Sequence, residues 1–100
     1  MREIVFSTKF KKDIKHFKNN QKVLDEIFAI IELLANDKPL PEKCVPHQLQ
    51  GEYKGVTDCH VRPDVILLYR LKDTIKDGKV ITELSLLELL RVGSHSQLFK

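Results

Sequence analysis

Two short segments in the later part of the chain, Asp58-Cys59-His60-Val61-Arg62-Pro63-Asp64 and Arg91-Val92-Gly93-Ser94-His95-Ser96-Gln97-Leu98-Phe99, carry His60, Asp64, Arg91 and His95, and His47 lies a few residues upstream. These side chains are the set needed to cut RNA without a metal. RNA brings its own nucleophile, the 2′-hydroxyl. A protein must add a base to deprotonate it, cations to stabilise the charge on the crowded phosphate, and an acid to protonate the departing 5′-oxygen. Histidine suits both proton steps because its unperturbed pKa of ~6.5 lies near working pH. Arginine suits the charge step, since its planar fork matches two phosphate oxygens. Residue type alone leaves open which group is base and which is acid. Each residue also has a plainer reading. A lone histidine is more often structural, and His16, on a lysine-rich stretch, is read that way. Arg91 could pair with Glu83 or Glu88, and Phe99 could be core.

The elements that hold these groups must fit in one domain, residues 1–100, because 100 residues at 42% hydrophobic content bury roughly two-thirds of the unfolded surface around a single core. Apolar stretches near Ile27 to Ala35 and Leu84 to Leu90 are broken by Glu32 and Glu88, well short of the ~20 residues of a membrane span. The opening Met1-Arg2-Glu3-Ile4-Val5-Phe6-Ser7 has no apolar signal core, so a cytoplasmic protein is expected. Net charge is +3, from 17 basic and 14 acidic residues, yet lysines 9, 11, 12, 15, 18 and 22 all fall in the first quarter. They form either a solvated helix face or a surface for RNA phosphates. Cys44 and Cys59 have no disulfide-framework or CxxC spacing, and reduced thiols are expected. A zinc site from Cys44, His47, Cys59 and His60 is disfavoured, because adjacent strand residues 59 and 60 point to opposite sheet faces.

Residues 3 to 7 read as a strand, followed by a Ser7-Thr8 cap. Phe10, Ile14 and Phe17 recur at helical spacing, Asn19-Asn20 interrupts, and a second helix runs from about Gln21 to Asn36. Leu24, Ile27, Phe28, Ile31 and Leu34 are assigned to its inner face, widened by Ile30 and Leu33. The pair should form a helical hairpin laid on a sheet. A helix-turn-helix DNA reader is disfavoured, since the second helix lacks polar, base-reaching residues. Prolines 39 and 41 open a long connection to His47. Val65 to Tyr69 is a continuous apolar run, as expected of a central strand buried on both faces. With Pro63 in a turn, His60 and Asp64 flank a tight connection between antiparallel strands. Asp77-Gly78 signals another hairpin turn, and Val80 to Val92 is assigned as strand.

The blocks His47 to Gly55, Asp58 to Asp64, Leu67-Leu68-Tyr69 and Arg91 to Phe99 resemble, in order, the YafQ branch of the RelE toxin superfamily, and the first 36 residues match it in helix pattern and lysine content. The resemblance implies an α+β fold: an N-terminal strand, a two-helix hairpin and an antiparallel sheet, with a short C-terminal element. It also implies a type II toxin, a ribosome-dependent endoribonuclease that cuts mRNA without a cofactor or metal and is held inactive by a cognate antitoxin of the DinJ/RelB kind, expected to be acidic or to fold on binding. By this match His47, His60, Asp64, Arg91 and His95 would be catalytic. Arg91 would clamp the scissile phosphate, His95 would be the general acid, and His60 or Asp64 the base or its orienting partner. Phe99 would stack on the nucleotide, and Lys54 and Arg62 would bind substrate. Chains of this branch typically carry tryptophan after the turn aspartate; here Val65 stands there, and valine cannot stack like an indole. Two rivals are a ParE-like toxin that poisons gyrase, which needs no His/Asp/Arg/His set, and a non-catalytic binding module.

Overall fold

The computed structural model describes residues 1–99. Its main sheet has five strands in the order β1-β7-β4-β3-β2: β1 is Glu3–Phe6, β2 His47–Gln48, β3 Thr57–Arg62, β4 Val65–Lys72 and β7 Leu86–Gly93. The β2–β3, β3–β4 and β4–β7 pairs are antiparallel, whereas β1 runs parallel to β7. A separate two-stranded ribbon, β5 (Ile75–Lys76) and β6 (Lys79–Val80), projects between β4 and β7.

The helices α1 (Thr8–Ile14) and α2 (Gln21–Ala35) begin at side-chain caps: Ser7 accepts from the Phe10 N–H and Asn20 from the Val23 N–H, so one of the donors left over in each first turn is met. Helix α2 buries Val23, Ile27, Ile30, Ile31, Leu34 and Ala35 against Cys59, Val61, Val65, Leu67, Tyr69, Leu87, Leu89 and Val92 of the sheet. This differs from the expected inner face in one respect: Phe28 is 44% exposed and Leu24 only half-buried, while Val23 and Ala35 lie inside. The apolar set of this helix is wider than the arc that faces the sheet, and Phe28 falls beyond it.

The strand β4 is buried at Val65 through Tyr69, alternating between two apolar clusters. Val65, Leu67 and Tyr69 face the helices, and Ile66 and Leu68 face Val56, Leu98 and the half-buried Tyr53, Leu90 and Phe99. Val65 thus points into the helix-side core, away from the surface that holds Ile66. The expected strand from Val80 to Val92 is two elements. Asp77-Gly78 does make a tight turn, with φ of 51° and 76°, but it closes the β5–β6 ribbon; after a 3-10 turn at Thr82–Leu84, a new strand starts at Leu86 and pairs with β4. The break is fixed by Ser85, fully buried, whose hydroxyl donates to Ile81 O and accepts from the Thr74 N–H.

Candidate active site

Cross-strand register sets the site. His47 is opposite Asp58, Asp58 opposite Leu68, and Leu68 opposite Arg91, forming one row over β2, β3, β4 and β7. In the next row His60 is opposite Ile66 and Ile66 opposite Gly93. With strands about 4.8 Å apart, His60 and Gly93 stand roughly 10 Å from each other. Directly opposed residues share a sheet face, so Asp58, His60 and Arg91 belong to the face away from the helices.

On the outer edge, His47 and His60 line a groove of about 380 Å³ with Lys43, Val45, Arg62 and Pro63. Behind His47 lies Asp58, buried on β3, with Oδ1 3.4 Å from His47 Nδ1. That approach is an ion-pair contact when His47 is protonated and not a directed hydrogen bond, and among the described residues Asp58 Oδ1 accepts none. Asp64 sits exposed in the Pro63-Asp64 turn. Arg62 turns toward the helical layer, where its guanidinium grips Glu26 at 2.8–2.9 Å. The resulting hydrogen bonds, followed by charge attraction, hold the Glu26 carboxyl below its ordinary range.

Across the sheet, Arg91 shares a cleft of about 440 Å³ with Glu52, Tyr53, Gln97, Leu98 and Phe99. Its Nε and Nη2 donate to Asp13 Oδ2 and Oδ1 at 2.7 and 3.0 Å, and these bonds raise the guanidinium pKa further. The edge of β7 passes to α1 here, because β1 has ended: Ser7 Oγ donates to Leu90 O, and Asp13 Oδ2 also accepts the Val92 N–H at 3.1 Å. Sequence reasoning missed Asp13. Its signal was a carboxylate three residues after Phe10, on the apolar stripe of a lysine-rich helix, where a buried charge requires a partner.

The strand β7 hands over to α3 (His95–Leu98) through a reciprocal cap. Ser94 Oγ accepts from the Gln97 N–H, and Gln97 Oε1 accepts from the Ser94 N–H at 2.9 Å. Gly93 makes room for it, since a Cβ there would come within 2.7 Å of Gln97 Oε1. This cap places His95 in the first turn, exposed, its ring 4.9 Å from that of Phe99 one turn later. Phe99 also meets the ring of Tyr53 edge-on at 5.7 Å, and the Tyr53 hydroxyl donates to Leu98 O.

The structure therefore gathers His47 with His60, and Arg91 with Phe99 and His95, along one sheet face. Among the described residues no side-chain hydrogen bond or ion pair joins His60, Asp64 and His95 to one another. Lys54 is exposed after the 3-10 turn Gly51–Tyr53. Lysines 9, 11, 12, 15, 18 and 22 are all exposed. No group of three or more metal-ligating side chains occurs among the described residues, and no helix is long and apolar enough to cross a membrane.

Comparison with known proteins gives a consistent picture over the whole length. Residues 2–100 match the family described as the bacterial toxin of type II toxin-antitoxin system, YafQ. The mRNA interferase toxin YafQ of Escherichia coli strain K12 is 36% identical over 99 residues, covering 98% of this chain and 96% of that protein. The crystal structure of YafQ from E. coli BL21(DE3) superposes with a TM-score of 0.78 at 34% identity, all of both chains being covered. YafQ in the E. coli DinJ-YafQ complex gives 0.73 at 35%, again over all of both chains.

Proposed function

Since the chain belongs to the YafQ family of type II toxin-antitoxin toxins, and is by that homology an mRNA interferase, we propose that it cuts mRNA on the ribosome by attack of the RNA 2′-hydroxyl, using its own side chains and no metal. The observation that carries this reading is the register: two cross-strand rows bring His47, Asp58, His60 and Arg91 to one sheet face and end at Gly93, two residues before His95.

A strand of mRNA laid across this face meets groups in the order the reaction needs. Arg91 neutralises the scissile phosphate. His95, exposed at the start of α3, protonates the leaving 5′-oxygen. His60 takes the 2′-hydroxyl proton, with Asp64 orienting it, and His47 supports the same step from the edge strand. Phe99, braced by Tyr53, packs on a base. Lys54 adds positive charge where RNA enters, whereas Arg62 is neutralised by Glu26. The exposed lysines of α1 and its continuation give a second phosphate-binding surface, suited to ribosomal RNA. A cognate antitoxin of the DinJ kind covers the site until the toxin is released, and the toxin acts in the cytoplasm, where the ribosomes are.

The test is primer extension on an mRNA translated in a purified bacterial system, with wild type, His95→Ala, and ribosomes omitted. Codon-registered breaks that need ribosomes and vanish in the variant are expected. Folded protein that makes no breaks would overturn the reading and favour the gyrase-directed or binding-only alternatives.

A further inference from the structure

We propose that Asp13 is a positioning residue for cleavage, fixing the Arg91 guanidinium so that its remaining donors face the phosphate; this rests on the reading of Arg91 as the phosphate clamp. Arginine has five N–H donors. Two are held by Asp13, from Nε at 2.7 Å and from Nη2 at 3.0 Å. Both donors of Nη1 and the second of Nη2 are left, enough for two oxygens of one phosphate. Nη1 makes no hydrogen bond to the protein among the described residues, and the side chain lines the cleft that also holds Phe99.

The carboxylate itself is buried and tethered. Asp13 is only 7% exposed, sits in a helix capped by Ser7, and accepts a third hydrogen bond from the Val92 N–H. That third bond locks the acid to the backbone of the residue after Arg91, so the side chain and main chain of β7 are held by one group. A free arginine side chain samples many rotamers, and phosphate binding would have to order it. Here the ordering is built into the fold, as efficient electrostatic catalysis requires. The acid also leaves the clamp with less net positive charge, so the arrangement favours geometry over simple attraction. Asp13 touches no reacting atom; it acts through Arg91.

The experiment is single-turnover cleavage of mRNA on programmed ribosomes by wild type, Asp13→Asn, Arg91→Ala and the double variant, with ribosome binding and thermal melting measured on each. Asparagine keeps an acceptor for the Val92 N–H but cannot take both arginine donors as a carboxylate does. Asp13→Asn is expected to slow cleavage about 10- to 100-fold, to leave ribosome binding within about twofold, and to slow the Arg91→Ala chain no further, the non-additivity of two residues acting as one. Wild-type or faster cleavage by Asp13→Asn, beside a slow Arg91→Ala, overturns the proposal alone. Equal slowing of both backgrounds also overturns it, since the role would then be structural. Normal cleavage by Arg91→Ala overturns the clamp itself, and this proposal with it. Should Asp13→Asn fail to fold, Asp13→Glu retains the charge but shifts the fork by one methylene. The same slowing is expected of it, and a wild-type rate is again contrary.

Discussion

Oδ1 of Asp58 lies 3.4 Å from Nδ1 of His47, directly across the β2–β3 ladder, and accepts no hydrogen bond among the described residues. A carboxylate behind an exposed imidazole can pair with it when the imidazole is protonated, and catalytic contacts often tighten only when substrate is bound. Asp58→Asn is expected to lower the cleavage rate about tenfold or more while the melting temperature stays level or rises. Cleavage assays paired with thermal melts decide it. Wild-type cleavage by the variant would remove Asp58 from the mechanism.

The clearest chemical prediction concerns the substrate. If the nucleophile is the 2′-hydroxyl, an mRNA carrying a single 2′-deoxynucleotide immediately 5′ to the scissile bond is not cut there, and the products of normal RNA carry a 2′,3′-cyclic phosphate. Mass spectrometry of the fragments reads this directly. Cleavage of the deoxy-substituted message at the same bond would show that water, activated in some other way, is the nucleophile.

His95→Ala should reduce single-turnover cleavage about 10²- to 10⁴-fold, or roughly 3–5 kcal/mol of transition-state stabilisation, with little change in melting because the side chain is exposed. Gly93→Ala should mimic part of this loss from a distance. Its Cβ would displace the Gln97 side chain from the Ser94 N–H, loosening the cap that sets His95, at a stability cost on the order of 1 kcal/mol. Full activity in Gly93→Ala would mean that the cap does not govern the histidine.

Acid should weaken the fold through two tethered carboxyls. Burial alone would raise the Asp37 pKa, but hydrogen bonds from Arg2 and Thr82 hold it below its ordinary range, and the grip of Arg62 lowers Glu26. Lowered folded-state values mean that the unfolded chain binds more protons in this range. The stabilisation is therefore complete above the unfolded values of about 4–4.5 and is lost as pH falls through the folded ones. Urea midpoints should drop between pH 5 and pH 3. The drop should be smaller in Arg62→Ala and in Arg2→Met. The second variant also loses stability at neutral pH, on the order of 1–3 kcal/mol, because Arg2 is buried between Asp37 and Asp73. An identical acid drop in all three chains would disprove the assignment.

What could be read in the sequence was what short-range chemistry dictates. The Ser7 cap, the Asn19-Asn20 interruption, the periodicity of α1 and α2, the Val65–Tyr69 strand and the Pro63-Asp64 and Asp77-Gly78 turns each depend on a few neighbouring residues, and each is present. Pairing between distant strands was less legible. No local signal shows that β1 lies parallel to β7, or that the Asp77-Gly78 turn closes a small ribbon while β4 pairs with a strand beginning only at Leu86. The burial of Ser85 that breaks the long apolar stretch depends on Thr74, eleven residues away. In the site, residue types singled out the histidines and Arg91, whereas Asp13 and Asp58, at 78 residues from Arg91 and 11 from His47, gain meaning only once the sheet is formed. Arg62, which looked free to meet substrate, proves tied to Glu26, 36 residues earlier.

The parallel pairing of β1 with β7 bears on how this chain is made. The first strand emerges from a translating ribosome early and has no sheet to join until Leu86–Gly93 follows, so the most distant pairing must wait for late synthesis. The same late strand brings Arg91, and His95 comes just after it. Until then a nascent chain lacks both the β4–β7 pairing and residues 91–99 of the proposed site, although His47, His60 and Asp64 are already in place, and the ribosome producing it is not exposed to a finished nuclease over that interval.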